Sequence, residues 1–199
     1  MVSVFLFSLV ANEMVFENET IFDSRAFSLL ASYTTPFNTK TAILITWFGT
    51  GYFLLPAYLL ITLYHNQQNK NKEAILVLIF AFVSMMSGMA LKVLFHRTRP
   101  MFPLISGAGG YSFPSGHSLG GFTFSGVLIY LLLKTTLNPY LKWIFSILLI
   151  IFSLLIGLSR IYLRVHFASD VLGSLLLTIV WLSITFILFE TIEKRSHPQ

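Results

Sequence analysis

Hydrophobic residues in this chain fall in long blocks rather than in the short alternations of a soluble domain. Runs free of Asp, Glu, Lys and Arg cover Thr41 to Tyr64, Ala74 to Leu91, Ser118 to Leu133, Trp143 to Ser159 and Val171 to Phe189. Each approaches the ~20 residues a helix needs to cross a bilayer, so five membrane helices are predicted. An earlier apolar run, Met1 to Ala11, is shorter and lacks the basic flank and cleavage site of a signal peptide; it reads as part of a short first membrane helix. Between that run and Thr41, the residues Phe22, Ala26, Phe27, Leu29, Leu30 and Tyr33 recur at helical spacing. That pattern predicts a helix lying in the membrane interface before residue 40. The fold class is therefore all-α, a polytopic membrane helix bundle forming one domain over residues 1–199.

The polar connectors sort into two kinds. His65 to Glu73 (HNQQNKNKE) and Lys134 to Lys142 (KTTLNPYLK) are plain turns, the second marked by Asn138-Pro139. The connectors from about His96 to His117 and from Arg160 to Asp170 carry nearly all the unusual polar residues. Because successive spans alternate direction, the ends near Lys92, His117, Arg160 and Asp170 all fall on one membrane face. The two lysine-bearing turns and the C-terminus fall on the other.

Composition agrees: 55% of residues are hydrophobic and 11% charged, and the mean hydropathy is +0.77, outside the range of an ordinary soluble domain. The net charge of +5 is spread over interhelical turns and the tail, with no basic domain that would bind nucleic acid. Membrane phosphates are the better match. No protein partner is evident. Cysteine is absent, which removes disulfides and thiolate metal sites. The triplet Asn18-Glu19-Thr20 matches a glycosylation acceptor, a pattern too common to carry weight. Orientation is finely balanced. Seven cations flank the convergent face (Arg25, Lys40, Lys92, Arg97, Arg99, Arg160, Arg164) and six the opposite one (Lys70, Lys72, Lys134, Lys142, Lys194, Arg195). Setting aside the convergent cations as reserved for chemistry makes the lysine turns cytoplasmic and the site extracytoplasmic.

The residues on the convergent face permit a definite chemistry. Pro114-Ser115-Gly116 leads into an apolar helix, whose free backbone N–H groups form an anion cradle. Ser115 adds a hydroxyl donor, and Gly116 allows close backbone approach. His166 and Asp170 are four residues apart, so on a helix they share a face and the carboxylate can hold the imidazole Nδ1. The other ring nitrogen is then free as a nucleophile or base. Lys92, Arg99 and Arg160 suit a tetrahedral dianion, the guanidinium forks pairing with two phosphate oxygens and the lysine acting as a point charge. A divalent ion among three cations, with Asp170 as the nearby carboxylate, would be held poorly, so neither a metal nor another cofactor is expected.

Taken together, Lys92-x6-Arg99-Pro100, Pro114-Ser115-Gly116-His117 and Ser159-Arg160-x5-His166-x3-Asp170 resemble the three-part signature of the type 2 phosphatidic acid phosphatase family, in order and with its spacing, over about Thr41 to Phe189. The short Met1–Ala11 run departs from that family's usual six full membrane helices. The resemblance implies a metal-independent lipid phosphatase that works through a phosphohistidine. It implies that His166 attacks phosphorus, that Asp170 orients its ring, and that His117 protonates the leaving lipid oxygen and then activates water. Lys92, Arg99, Ser115, Gly116 and Arg160 would bind the phosphate. Ser159 belongs to the motif in a secondary role, while His96, Arg97 and Arg164 fall outside the matched positions and read as interfacial or headgroup-contacting.

The implied partners are the bilayer and a phosphorylated lipid of a bacterial plasma membrane. Phosphatidylglycerophosphate, phosphatidic acid, undecaprenyl diphosphate and a lipid A phosphate all fit. A transporter or flippase is the main alternative, but it calls for charges distributed through the membrane, and the five apolar interiors hold none. A serine protease using Ser115 leaves three convergent cations unexplained.

Overall fold

The computed structural model describes residues 2–11 and 21–196, all helices and connectors; the Asn18-Glu19-Thr20 triplet lies outside the described residues. In chain order the helices are α1 (Val2–Leu9), α2 (Ile21–Ala31), α3 (Pro36–Trp47), α4 (Gly51–Gln67), α5 (Asn71–Phe95), α6 (Gly116–Leu133), α7 (Pro139–Tyr162) and α8 (Ala168–Ser196). Among the described residues, five segments are long and apolar enough to cross a membrane: α3 with α4, then α5, α6, α7 and, in α8, Ala168–Ile187.

The first span differs from its sequence reading. The run from Thr41 to Tyr64 is apolar throughout, yet the helix stops after Trp47 and restarts at Gly51. Thr50 makes the break: its hydroxyl donates to the Trp47 carbonyl at 2.6 Å and accepts from the Phe53 amide at 3.4 Å, closing one helix and capping the next. Gly49, inside the break, is pressed against the start of α6. A Cβ there would lie 2.8 Å from the His117 carbonyl oxygen and 3.0 Å from the His117 Cβ, so a larger residue would have to push that segment away.

The expected short N-terminal helix is α1. Its eight residues rise about 12 Å. Phe7, Val10 and Ala11 pack against Phe113 and Leu176. The interfacial helix is also present, as α2.

Helix α6 sits at the centre, against α5, α7 and α8. Its approach to α7 is close because Gly157 leaves room for Phe122 and for Val171 of α8. Leu54, Tyr58, Leu76, Val77, Phe80 and Val127 fill the interior towards one end. The α7 residues Ile144, Leu148 and Ile151 are exposed, as expected of side chains facing lipid rather than water. The alternating spans bring the end of α5, the start of α6, the end of α7 and the start of α8 to one end of the bundle. Lys134 and Glu73 meet at the other end, 3.9 Å apart.

Candidate active site

The site is assembled from the last turns of α5 and α7, the N-termini of α6 and α8, and the connectors between them. After Tyr162 the chain turns through Arg164, in the left-handed region at φ 52°, and enters α8. The amides of Val165 and His166 return to the Arg160 carbonyl at 3.2 and 3.4 Å, which fixes His166 relative to Arg160. Asp170 lies three residues after Phe167, the residue preceding α8, and its Oδ2 accepts the Phe167 amide at 2.9 Å. That is half of a capping box. The carboxylate also lies where the helix dipole favours a negative charge.

The same Oδ2 is 3.3 Å from His166 Nδ1. The spacing of four residues therefore brings the pair together through a helix-entry turn, not along one face of a continuous helix. On the other side of the ring, Nη1 of Arg99 is 3.3 Å from His166 Nε2. Guanidinium nitrogens only donate, so this contact requires a lone pair on Nε2 and places the ring proton on Nδ1, towards Asp170. Burial pushes the His166 imidazole down to about 4, against the opposing hydrogen bond and charge of Asp170. A neutral ring with its free lone pair on Nε2 is the form a nucleophile needs.

Arg99 is fixed by backbone acceptors: Nε bonds the Gly109 and Gly110 carbonyls at 3.0 and 3.1 Å, and Nη1 the Val165 carbonyl at 2.7 Å. Lys92 Nζ donates to the Tyr111 carbonyl at 2.7 Å and to that of Ser112 at 3.4 Å. Arg160 is buried, makes one bond from Nη1 to Thr46 Oγ1 at 2.8 Å, and leaves Nε without a partner among the described residues. A buried guanidinium so incompletely used is suited to an anion. His117 is half-buried in the first turn of α6, within electrostatic reach of Arg160, His166, Arg99 and Lys92. Gly116 opens that turn, exposed, with the Lys92 side chain 4.0 Å from where its Cβ would be.

All eight residues named from the sequence thus gather at one end of the bundle, but not all point into open space. Ser115 is fully buried; its hydroxyl shares a 2.8 Å bond with Ser118 and its carbonyl accepts from Ser174 at 3.0 Å. The expected phosphate donor is, in this arrangement, a clasp that holds the turn. Ser159 bonds its own helix, at Ile156 O, 2.6 Å away.

Arg97 requires a correction. Read from the sequence as interfacial, it is only 4% exposed. Its Nη1 donates to Asp170 Oδ1 at 2.8 Å and to Ser169 Oγ at 2.7 Å, and its Nη2 to Asp23 Oδ2 at 2.9 Å. The guanidinium also lies over the Phe167 ring, 4.2 Å from its centroid. Headgroups cannot reach it. His96 is exposed and stands edge-on to Tyr111, with centroids 4.6 Å apart. Ser112 was also missed. Its hydroxyl donates to Asp170 Oδ2, its amide donates to the Arg97 carbonyl at 2.8 Å, and its Oγ is 3.4 Å from His166 Nδ1. A lone serine gives no sequence signal. Asp23 does give one: it shares a helical face with Phe27 and Leu30, an odd place for a carboxylate.

Between α4, α5 and α6 an apolar cavity of about 250 Å³ runs along the bundle and ends at Lys92 and His117. Its walls are thinned by Gly49, Gly51, Gly88 and Gly120 and closed by Leu54 and Met85. Its lining is cationic or polar at that end and mostly apolar along the rest.

Comparison with known proteins bears on the family and the fold. The family model described as PAP2 superfamily matches residues 72–194. The chain is 32% identical over 175 residues to phosphatidylglycerophosphatase B of Bacillus subtilis, covering 86% of each protein. The crystal structure of a transmembrane PAP2 type phosphatidylglycerolphosphate phosphatase from Bacillus subtilis superposes with a TM-score of 0.81 at 26% identity, over 98% of this chain and 96% of that one. Aquifex aeolicus LpxE superposes with a TM-score of 0.65 at 25% identity, over 85% of this chain and 97% of the other.

Proposed function

Starting from a chain that belongs to the PAP2 superfamily and is a membrane lipid phosphatase, we propose that it removes the terminal phosphate of phosphatidylglycerophosphate through a phosphohistidine on His166, without a metal ion. Similarity to phosphatidylglycerophosphatase B supports the choice of substrate. The observation that carries the mechanism is the His166 ring held between Asp170 at Nδ1 and Arg99 at Nε2, both 3.3 Å away.

The lipid tail enters the cavity between α4, α5 and α6, and the terminal phosphate meets Lys92, Arg99 and Arg160. Arg99 turns from Nε2 to a phosphate oxygen as the dianion arrives, which uncovers the lone pair. Nε2 attacks phosphorus in line, the bond from phosphorus to the lipid oxygen breaks, and His117 gives that oxygen a proton. The product is phosphatidylglycerol. His117, now neutral, takes a proton from water, whose oxygen attacks the phosphohistidine; the P–N bond breaks and inorganic phosphate leaves. The three cations and the Gly116 and His117 amides neutralise the equatorial oxygens, where such transition states need help. Ser115 supports the turn that presents those amides. The lysine-bearing turns at the opposite end support an extracytoplasmic site.

The test offers the purified protein phosphatidylglycerophosphate, phosphatidic acid, undecaprenyl diphosphate and a lipid A phosphate in liposomes containing chelator. The expected result is the highest kcat/KM with phosphatidylglycerophosphate, with an acid-labile, alkali-stable phosphoenzyme trapped at His166. A larger kcat/KM on another lipid of the panel would reassign the substrate, and a turnover that leaves no phosphate on His166 under any quench would remove the mechanism.

A further inference from the structure

We propose that Arg97 and Asp23 are positioning residues for this hydrolysis, and that through Asp23 the docking of α2 is a working part of the active site. The proposal rests on His166 as the nucleophile. Asp170 divides its two oxygens between two tasks. Oδ2 faces His166 Nδ1 and also takes the Phe167 amide and the Ser112 hydroxyl, whereas Oδ1 is bonded to Arg97. Rotation of the carboxylate about its last torsion would break both sets at once, so the Arg97 bond fixes the direction in which Oδ2 holds the imidazole.

Arg97 in turn is held from α2. Asp23 Oδ2 accepts from Arg97 Nη2 and from Ser169 Oγ, and Oδ1 accepts the Ser169 amide, all at 2.9 Å. The carboxylate thus caps the N-terminus of α8 from another helix, supplying a bond that α8 cannot supply itself. Asp23, Ser169 and Asp170 are each 0% exposed, so water cannot replace any of these bonds without the cluster opening. Neither Asp23 nor Arg97 touches the attacking nitrogen; both act through Asp170. The rest of α2 is arranged for the same docking. Phe27 packs on Phe167 with centroids 5.9 Å apart, and Leu30 packs against the cluster of Ala42, Tyr162, Leu163 and Val165. Ile21, Phe22 and Leu29 are left exposed on the other side, as an interfacial helix requires.

The experiment compares Asp23→Asn, Arg97→Lys and Arg97→Gln with Arg25→Gln, an exposed residue of the same helix, in liposomes with phosphatidylglycerophosphate. Misplacing a nucleophile slows chemistry rather than binding, so kcat is expected to fall about tenfold in Asp23→Asn and about a hundredfold in Arg97→Gln, with KM within about twofold. Arg97→Lys should retain more kcat than Arg97→Gln, and Arg25→Gln should match the wild type. Variants with normal kcat and KM per folded molecule, but lower yield or melting temperature, would reduce the cluster to a fold-stabilising role and overturn the proposal. Deuterium uptake by a peptide spanning residues 165–170 does not depend on turnover. Faster uptake in Asp23→Asn supports the clamp, and unchanged uptake overturns it. A wild type inactive on every lipid phosphate would instead remove the functional reading, and the uptake comparison distinguishes the two failures.

Discussion

Nη1 of Arg99 lies 3.3 Å from Nε2 of His166, so the nitrogen proposed to attack phosphorus is covered by a group proposed to hold the phosphate. In the proposed mechanism this covering keeps protons and stray electrophiles from the lone pair until the phosphate draws the guanidinium away. It also links binding to activation: the ligand that needs the nucleophile is the one that exposes it.

Replacing the ring tests the nucleophile directly. His166→Ala should fold and bind detergent as the wild type does, yet release phosphate at least about a thousandfold more slowly. Asp170→Asn keeps the nucleophile but loses the charge behind Nδ1, and should retain a measurable fraction of turnover. Rates normalised to folded protein check both; a folded His166→Ala at wild-type rate excludes the assignment.

Acidity gives a second handle. Burial holds His166 at about 4 rather than its ordinary 6.5, so the ring stays neutral through mildly acidic solution. The acid limb of kcat/KM due to this residue should lie near pH 4, not near 6.5. In stability the sign is that of a depressed pKa. The unfolded chain takes up the proton first, so the contribution of His166 is fully present above 6.5 and is lost as pH falls towards 4. Turnover and melting temperature measured from pH 4 to 8 decide this. A loss of melting temperature below pH 6.5 that is unchanged in His166→Ala would contradict it.

Gly49 should be nearly irreplaceable, although it is in no matched motif. A Cβ at Gly49 meets the His117 carbonyl oxygen at 2.8 Å and the Ile156 side chain at 2.9 Å. Gly49→Ala is therefore expected to displace the start of α6 and lower kcat about tenfold or more, with the lipid still bound. Wild-type kcat in this variant would mean that the His117 segment can shift without consequence.

Excess chelator should leave turnover unchanged, because Lys92, Arg99 and Arg160 already supply the positive charge that a divalent ion would bring. Activity lost in EDTA and restored only by a divalent cation would be decisive against this account.

Much of this was legible in the sequence because lipid imposes severe rules. Spans must be helical and apolar, alternation fixes which ends meet, and Lys92, His117, Arg160 and Asp170 accordingly met. What stayed hidden depends on side-chain direction. Arg97 and Arg99 are two residues apart with the same chemistry, yet one is locked between two carboxylates and the other faces the nucleophile. Nothing local separates them; the difference is made by Asp23, about 75 residues earlier in the chain. Ser115 looked like a free donor and is turned inward by Ser118 and Ser174. The break at Gly49 was invisible to hydropathy because both halves of the span are equally apolar.

The cavity between α4, α5 and α6 is apolar along most of its length, and at the end marked by Lys92 and His117 it is also lined by the exposed Gly116. On the proposed reaction the two products would part company by solubility, the dephosphorylated lipid returning to the leaflet and the small anion to water.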